Sequence, residues 1–381
     1  MEHNRVVELG SLIKPAKTIR CGDDYYPVLS MTMHDGLVFQ EEKFKKEVAS
    51  KNKADYKVVF KNQLVVGFPI DEGVLATQRI VDAGIVSPAY GIWDVDQSKI
   101  HPEFLEWALR SARALDYYRA KLRGSTARRR SLPTETFLKF TLPLPSISEQ
   151  MHILDIIHKL QVMLRSRQQQ LAKLDELVKA RFVEMFGGIN ESVWYPYQTI
   201  ESFTSVMSGG TPDRNIPEYW QGNIRWIKTT ELKNCIITDT EEKISQLGVE
   251  NSSAKIIPAN SILVAMYGQG KTRGMTGYIT VECATNQACA CILPSEKINQ
   301  KYLWKYIVFS YDKLRSMAKG GNQPNLNAGI IRKFPVLMPP MNLQNRFAVF
   351  AEQVEKTKLF IQNSLKQMET LKKALIQQYF G

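Results

Sequence analysis

The sequence contains few cysteines and histidines and no long apolar run. Its five cysteines include no Cys-x-x-Cys pair, and its five histidines share no metal-ligand spacing, so neither residue type predicts a metal site. No apolar segment reaches the roughly 20 residues that span a membrane, and the first residues lack the apolar core of a signal peptide. We therefore expect a cytoplasmic protein with reduced thiols and no membrane partner.

Catalytic motifs are also missing. The sequence has no Rossmann glycine fingerprint, no Asn-Pro-Pro or Asp-Pro-Pro motif of an amino-methyltransferase and no nuclease-type carboxylate cluster with a catalytic lysine. Residues 265–272 resemble a phosphate-binding loop, but the residues after Lys271 predict a turn and a strand, whereas such a loop must open a helix. We interpret this segment as a basic loop and expect no catalytic, cofactor-binding or metal-binding residue.

The most informative positive feature is an internal repeat. Residues 137–187 align without a gap with residues 331–381, and this alignment places Gln150 on Gln344. A repeat of this length indicates two similar halves, each a globular region followed by a long helix, rather than a solenoid. Such a molecule suits a ligand or partner that has two related ends.

Both repeats carry the spacing of three and four residues that is typical of a coiled-coil seam. About 39 residues at 1.5 Å each give a helix of roughly 58 Å. The polar breaks Arg167 and Arg181 correspond to Ile361 and Leu375, a complementarity that predicts packing of the two helices on each other rather than on copies of themselves. Because a full domain separates the helices and both carry the same seam, we favour an antiparallel rod over an ordinary helical hairpin within one core. We assign the subunit interface to the seam residues Ile153, Ile157, Leu160, Leu171, Leu174, Val354, Ile361, Leu365 and Met368.

The predicted fold is α+β, with two β-rich globular regions joined by two long antiparallel helices in a pseudo-two-fold arrangement. The expected domains are residues 1–147, helix 148–187, residues 188–341 and helix 342–381. Ser146 followed by Glu149 predicts a capping box, and Gly187 predicts a helix end. Single strands are predicted at 57–68, 84–95, 261–265, 277–281 and 288–293, and single helices at 101–121 and 299–316.

The charge pattern favours a polyanionic partner. The net charge is +12, and both globular regions carry an excess of positive charge. Basic residues are concentrated between residues 110 and 130, and the polar end of that stretch suits contacts to guanine or phosphate. The matching loop of the second half is rich in amides, which suit adenine. The predicted DNA-binding residues are Ser125, Arg128, Arg129, Arg130, Thr211, Gln269, Lys271, Thr272, Arg273, Asn322, Gln323 and Asn325.

An ordered set of short motifs accompanies the repeat. The second half contains Gly209-Gly210-Thr211-Pro212, Tyr219-Trp220, Asn286-Gln287 and Leu337-Met338-Pro339-Pro340, and the first half contains Ser87-Pro88-Ala89-Tyr90, Leu144-Pro145 and Glu149-Gln150. With the repeat, this set resembles the DNA-specificity subunit of type I restriction-modification systems over nearly the whole chain. The first half lacks the Gly-Gly-Thr-Pro and Tyr-Trp motifs, so the two halves are expected to read different sequences.

The resemblance implies two target recognition domains, each in the major groove of one half-site of double-stranded DNA. The helices would act as a ruler that holds the half-site centres about one helical turn apart, roughly 34 Å. They would also dock two modification subunits, which bring S-adenosylmethionine and flip the target adenine. Restriction subunits would join that assembly. This chain would bind no cofactor and catalyse no reaction.

Two alternatives remain open at this stage. A coiled-coil protein–protein adaptor with globular ends would explain the helices but not the positive charge of both end regions. Partner binding that is insensitive to salt, without DNA affinity, would favour the adaptor. ATP binding that is lost in Lys271→Ala would favour an enzyme that uses the 265–272 loop. The alternative for the DNA-binding loops is a pair of solvated turns.

Overall fold

The computed structural model describes residues 5–33, 35–43, 53–122, 132–268, 270–320 and 324–381. The chain divides into two compact units. Unit 1 comprises Met1–Gln168 and Asn363–Gly381, and unit 2 comprises Gln169–Gln362. None of the described helices is both long and apolar enough to cross a membrane.

Unit 1 combines short strands with helices. Its strands are β1 (Arg5–Glu8), β2 (Ile13–Pro15), β3 (Leu29–Thr32), β4 (Gly36–Phe39), β5 (Lys57–Phe60), β6 (Leu64–Val66), β7 (Leu75–Thr77), β8 (Ala83–Val86), β9 (Gly91–Val95) and β10 (Thr141–Leu144). Its helices are α1 (Gln40–Lys43), α2 (Pro102–Leu109), α3 (Ala112–Lys121), α4 (Thr134–Leu138) and the first part of α5 (Ile147–Phe186). Strands β2, β9, β6 and β7 form an antiparallel sheet in that order, while β1 pairs with β10, β3 with β4 and β5 with β8.

The core of unit 1 lies between the four-stranded sheet and the helices. Phe104 of α2 and Ile157 of α5 are almost fully buried in it, together with Phe380 from the end of the chain. The rings of Phe104 and Phe380 lie 4.9 Å apart. Burying each such side chain stabilises the fold by about 1.5–3 kcal/mol, so the last turn of the chain helps to hold unit 1 together.

Unit 2 has a larger sheet. Its strands are β11 (Tyr197–Thr199), β12 (Val206–Ser208), β13 (Ile224–Ile227), β14 (Cys235–Ile237), β15 (Glu242–Ile244), β16 (Ile262–Ala265), β17 (Thr276–Ile279), β18 (Ala284–Thr285), β19 (Cys289–Ile292) and β20 (Pro335–Leu337). Its helices are the rest of α5, α6 (Ile200–Phe203), α7 (Gln246–Glu250), α8 (Gln300–Phe309), α9 (Tyr311–Ser316), α10 (Ala328–Arg332) and most of α11 (Met341–Phe380). Strands β12, β19, β16, β17 and β14 form one sheet in that order, β15, β13 and β18 form a second, and β11 pairs with β20.

Within unit 2, α5 and α11 pack antiparallel through an aromatic cluster, as predicted. The rings of Phe182 and Phe347 lie 5.3 Å apart, while Lys358 pairs with Asp175 over 2.6 Å. Residue numbers therefore rise along α5 as they fall along α11. Tyr302 of α8 stacks on Phe182 with ring centroids 5.8 Å apart, so the globular part of the unit shares a core with both helices.

The ends of the long helices follow the predicted signals. Glu149 Oε2 accepts a hydrogen bond from Ser146 N over 2.9 Å, and Ser146 Oγ accepts one from Glu149 N over 3.3 Å. This reciprocal pair is the predicted capping box, and it supplies partners to the free backbone donors of the first turn. Gly187 adopts a φ of +77° and donates to Val183 O over 2.8 Å, which ends α5.

The prediction of one continuous helix at 101–121 and at 299–316 is wrong in both halves. The first segment breaks into α2 and α3, because Ser111 Oγ accepts a hydrogen bond from Ala114 N over 3.3 Å and starts a new helix. The second segment breaks at Ser310 between α8 and α9. At Ser111, the bond between the serine side chain and nearby backbone competes with helix continuation. Ser310 Oγ instead donates to Asn190 Oδ1 over 3.1 Å and does not cap α9.

Two of the predicted strands are also broken. The segment 57–68 turns at Asn62, whose φ of +70° belongs to the left-handed region, and so forms β5 and β6. The segment 84–95 forms β8 and β9, separated by a turn in which Tyr90 N donates to Ser87 O over 3.1 Å. The predicted strands at 261–265, 277–281 and 288–293 correspond to β16, β17 and β19, with ends that differ by one or two residues.

Candidate nucleic-acid interface

One edge of the five-stranded sheet in unit 2 gathers several loops. Strands β12 and β16 end at the edge where β17 and β19 begin, because β19 runs antiparallel to β12 and β16. The pairing continues past the strands, since Met266 N donates to Ala288 O over 2.8 Å. We call this edge, formed by residues 209–211, 266–268, 270–274 and 286–288, the loop edge. It contains the predicted residues Thr211, Lys271, Thr272 and Arg273.

Two glycines allow the segment after β12 to approach the turn before β19. A Cβ on Gly209 would lie 2.0 Å from the Thr285 carbonyl oxygen, and one on Gly210 would lie 2.3 Å from the Ser253 carbonyl carbon. Gly210 N also donates to Thr285 O over 2.8 Å. No side chain fits at either position, so the two glycines are required for this backbone contact.

The glycine contact brings Thr211 against an exposed glutamine. Thr211 Oγ1 donates a hydrogen bond to Gln287 Oε1 over 2.7 Å. Asn286 Oδ1 accepts from Ala288 N over 3.1 Å and fixes the turn that carries Gln287. Gln287 was absent from the residues predicted to bind DNA, although the Asn286-Gln287 motif pointed to this position.

Residues 266–268 and 270–274 of the loop edge are held by hydrogen bonds from α9 and from the chain that follows it. Arg315 donates to Arg273 O over 2.6 Å and to Gly270 O over 2.9 Å. Tyr311 Oη donates to Lys271 O over 2.6 Å, and Leu326 N donates to Met266 O over 3.0 Å. The predicted loop and the region around the predicted residue Asn325 therefore lie together.

The side chains of these predicted residues differ in exposure and in the bonds they already make. Lys271 is exposed, and no ion pair to it is found among the described residues. Thr272 and Asn325 are half-buried, and Asn325 exchanges backbone hydrogen bonds with Lys319 over 3.0 and 2.9 Å. Arg273 donates to Pro324 O, so its guanidinium holds the loop. Lys271 is thus the free positive charge of this group.

The remaining predicted DNA-binding residues lie outside the described residues and stay predictions: Ser125, Arg128, Arg129, Arg130, Gln269, Asn322 and Gln323. Two arginines in the described part of the basic stretch have partners within unit 1. Arg113 donates to Thr141 Oγ1 over 3.1 Å, and Arg119 pairs with Asp116 over 2.9 Å. These two arginines therefore act within the fold.

The predicted seam residues are covered within the chain. Ile153, Ile157, Leu160, Val354 and Ile361 are buried. The remaining seam residues are half-buried, namely Leu171, Leu174, Leu365 and Met368. The same two helices expose other apolar side chains, and these are Val162, Met163, Leu359 and Phe360.

Each long helix also makes a side-chain contact to one globular helix of its own unit, a hydrogen bond in unit 1 and an ion pair in unit 2. In unit 1, His158 Nε2 of α5 lies 2.7 Å from Glu103 Oε1 of α2. In unit 2, Glu352 Oε2 of α11 lies 2.6 Å from Lys301 Nζ of α8. The repeat places His158 on Glu352, so the two units use equivalent helix positions with opposite polarity.

A buried charge network continues the contact in unit 2. Lys305 of α8 is 6% exposed, and its Nζ lies 2.6 Å from Glu355 Oε1. Glu355 also lies 3.3 Å from Lys358, which pairs with Asp175. Burial lowers the pKa of Lys305 and by itself raises that of Glu355, but the two ammonium groups hold the pKa of Glu355 below its usual value. The carboxylate is therefore ionised at neutral pH.

Three of the cysteines in unit 2 are core residues. Cys283, Cys289 and Cys291 are buried. Burial raises the pKa of Cys283 and of Cys289 to about 12, so both thiols are protonated at neutral pH. Among the described residues, no group of three histidine, cysteine or acidic side chains is arranged to hold a metal ion.

The loop edge lies within a region that matches a known protein family. Residues 195–370 match the family described as the type I restriction modification DNA specificity domain. The match includes the whole loop edge, α8 and most of α11. The resemblance to type I specificity subunits found in the sequence is confirmed.

Two curated proteins with similar sequences are themselves specificity subunits. The EcoR124I/EcoR124II specificity subunit of Escherichia coli is 28% identical over 163 residues, which are 42% of this chain and 40% of that protein. The MjaIX specificity subunit of Methanocaldococcus jannaschii is 27% identical over 188 residues, which are 47% of this chain and 41% of that protein. The chain thus aligns with about 40% of the length of these relatives.

A solved structure extends the likeness beyond the specificity domain. The S subunit of a type I restriction-modification system from M. genitalium is 12% identical and superimposes with a TM-score of 0.58, covering 100% of this chain and 97% of that chain. At this identity the likeness concerns the fold. It confirms the predicted α+β class with β-rich regions and two long helices.

Proposed function

We propose that this chain is the DNA-specificity subunit of a type I restriction-modification complex and reads an asymmetric, bipartite site in double-stranded DNA. One globular region would bind each half-site. The observation that carries this proposal is the specificity-domain match over residues 195–370, taken with the internal repeat of residues 331–381 at residues 137–187. The long helix that follows the matched domain thus recurs after the first globular region, which would form the second recognition domain.

The asymmetry follows from differences between the two halves. The first half lacks the Gly-Gly-Thr-Pro motif whose glycines shape the loop edge of unit 2. Its contacts between α2 and α5 also have the opposite polarity to those between α8 and α11. Two differently built regions would present different side chains to DNA, and so recognise different bases.

The proposed partners are two modification subunits and the restriction subunits. The modification subunits would carry S-adenosylmethionine and flip the target adenine, so this chain would bind no cofactor and act without catalysis, in the cytoplasm. The long helices expose apolar side chains in each unit, Val162 and Met163 in unit 1 and Leu359 and Phe360 in unit 2, and the pair in unit 2 would contribute to docking of a modification subunit. Replacing Leu359 and Phe360 with serine should weaken binding of the modification subunit without changing DNA affinity.

The adaptor alternative is less well supported. An adaptor needs globular ends that bind proteins, whereas the family match places a DNA-specificity domain at one of those ends. Lys271 also stands exposed and unpaired, within the described residues, at the loop edge. Binding of a protein partner that is insensitive to salt, with no DNA affinity, would reverse this preference.

The test is methylation mapping of DNA from cells that carry the modification subunit, with and without this chain. An interrupted, asymmetric motif that is methylated only when the chain is present would support the proposal. Absence of a dependent motif, with a competent modification subunit present, would reject it.

A domain exchange tests the division of labour. Residues 190–340 are replaced by the corresponding region of another specificity subunit, and the motif is mapped again. We expect one half of the motif to change and the other half to persist. A change in both halves would contradict one region per half-site.

A further inference from the structure

We infer that Gln287 reads a purine, with adenine preferred, in the half-site bound by unit 2, and that Thr211 is the positioning residue that orients it. This inference rests on the proposed DNA-specificity function and names the chemistry of one contact within it. The observation behind it is the hydrogen bond from Thr211 Oγ1 to Gln287 Oε1 over 2.7 Å at the loop edge.

The position of Gln287 suits contact with a base. Its side chain is exposed, and the turn that carries it is fixed on both sides by hydrogen bonds. Asn286 Oδ1 accepts from Ala288 N over 3.1 Å, and Asn286 O accepts from Cys289 N over 3.2 Å. An exposed side chain on a rigid turn loses less conformational entropy on binding than one on a free loop.

In the structure, the amide of Gln287 turns its oxygen towards the hydroxyl of Thr211. A carboxamide oxygen has no hydrogen, so the threonine hydroxyl is the donor and Oε1 is the acceptor. The Nε2 group is then left with its two hydrogens, and Oε1 keeps a second lone pair. A free N–H beside a free oxygen is the pair that bonds to N7 and N6 of adenine in the major groove.

The two glycines that precede Thr211 allow it to reach Gln287. Gly209 and Gly210 leave no room for a side chain against Thr285 and Ser253, and this close approach is what brings the Thr211 hydroxyl within reach of Gln287. The Gly-Gly-Thr segment and the Asn-Gln segment thus form one contact site, although 76 residues separate Thr211 from Gln287 along the chain.

The neighbours of Gln287 at the loop edge supply complementary contacts. Tyr267 is 42% exposed and follows Met266, which is hydrogen-bonded to Ala288. Lys271 adds a free positive charge suited to a phosphate. A backbone contact that fixes register, next to an amide that reads a base edge, is the usual division of work in a DNA interface.

The test uses the full chain together with its modification subunit, and maps methylation for the wild type, Gln287→Ala, Gln287→Glu, Thr211→Val and Thr211→Ser. Gln287→Ala should relax one position of one half-site, so that the ratio of methylation rates between the preferred base and its competitors falls roughly five- to a hundred-fold. The other half-site should stay unchanged. Gln287→Glu keeps an oxygen for the Thr211 bond but loses the N–H donor, so preference at that position should move towards cytosine.

The threonine variants separate orientation from packing. Thr211→Val removes the hydroxyl at nearly constant shape and should relax the same position as Gln287→Ala. Thr211→Ser keeps the hydroxyl and should retain the wild-type preference. Gln246→Ala, which changes an exposed glutamine on α7, is the matched control and should leave the motif as it is.

Three outcomes would overturn the inference. An unchanged motif in Gln287→Ala and Gln287→Glu would overturn it while leaving the proposed function intact. A uniform fall in methylation at all sites, together with a lower midpoint of thermal unfolding, would make the Thr211–Gln287 bond a structural contact only. A wild-type chain that directs no methylation would overturn the proposed function, and this inference with it.

Discussion

Gln150 Oε1 accepts a hydrogen bond from the backbone nitrogen of His101 over 2.7 Å. Gln344 repeats this contact in unit 2, where its Oε1 accepts from Asn299 N over 2.9 Å. Both glutamines are buried at the start of a long helix, at 0% and 2% exposure, and His101 and Asn299 are the residues that cap α2 and α8. The same side chain therefore fastens each long helix to the globular part of its own unit.

Removing either glutamine should destabilise its unit. In Gln150→Ala and Gln344→Ala, a buried backbone N–H loses its acceptor, which costs about 1–3 kcal/mol of unfolding free energy. Gln353→Ala, an exposed position of α11, should change stability by less than about 0.5 kcal/mol. Urea unfolding of the three variants provides the comparison. Equal stability of Gln344→Ala and Gln353→Ala would show that the buried amide contributes nothing.

The buried pair Lys305–Glu355 should behave differently from exposed pairs. Lys305→Met leaves Glu355 with Lys358 as its remaining cation at 3.3 Å, so we expect a loss of about 3 kcal/mol, the lower end for breaking a buried pair. The double variant Lys305→Met/Glu355→Leu should recover much of this loss, because no unpaired charge stays buried. A double variant less stable than Lys305→Met would contradict this account.

Changing Lys301 of the more exposed Lys301–Glu352 pair to glutamate should lower the unfolding free energy slightly, and the second change Glu352→Lys should restore it. Lys301→Glu places two carboxylates together, and the second change Glu352→Lys restores an attractive pair of opposite polarity, as in unit 1. Because both side chains are about 40% exposed, we expect a coupling energy of roughly 0.2–1 kcal/mol from the double-mutant cycle. A coupling of zero would mean that the pair does not contribute to docking.

Acid should weaken the contact between α8 and α11. The hydrogen bond from Lys301 lowers the pKa of Glu352 from its usual 4.5. Burial alone raises the pKa of Glu355, but Lys305 and Lys358 lower it below 4.5. Because the folded pKa values lie below the unfolded ones, their stabilisation is complete above about pH 4.5 and is lost as pH falls through the folded values.

The measurement is the unfolding free energy as a function of pH. It should decline below pH 4.5 in the wild type, and the decline should be shallower in Glu355→Gln, which has one titrating carboxyl fewer. Parallel curves for the two proteins would show that protonation of Glu355 is not linked to unfolding.

Short-range sequence signals predicted the features that depend on neighbouring residues. The long helices, their capping box and the Gly187 end depend on neighbours within a few residues, and all are present. The break at Ser111 is not predicted, because a serine inside an amphipathic pattern gives no sign of whether its side chain will cap a new helix. The break at Ser310 is not predicted either, and there the side chain bonds to the distant Asn190. Element existence was thus predicted better than element ends.

Contacts between segments that are distant in the sequence could not be predicted from local patterns. The Thr211–Gln287 bond depends on the order of strands in the sheet and on two glycine contacts that no periodic pattern encodes. The opposite polarity of His158–Glu103 and Lys301–Glu352 requires knowing which globular residue faces each helix. The sequence motifs indicated which segments matter, and the tertiary structure shows which contacts they make.

The charge on Lys271 should set part of the salt dependence of DNA binding. It is exposed at the loop edge and unpaired within the described residues, so a phosphate contact there would release about one counterion. Lys271→Ala should then reduce the slope of log affinity against log salt by about 0.9, with no change in the methylated motif. Lys297→Ala is the matched control, because this exposed lysine follows β19 at the opposite edge of the same sheet. Its slope should equal that of the wild type, and a slope for Lys271→Ala that also equals the wild type would place Lys271 outside the DNA interface.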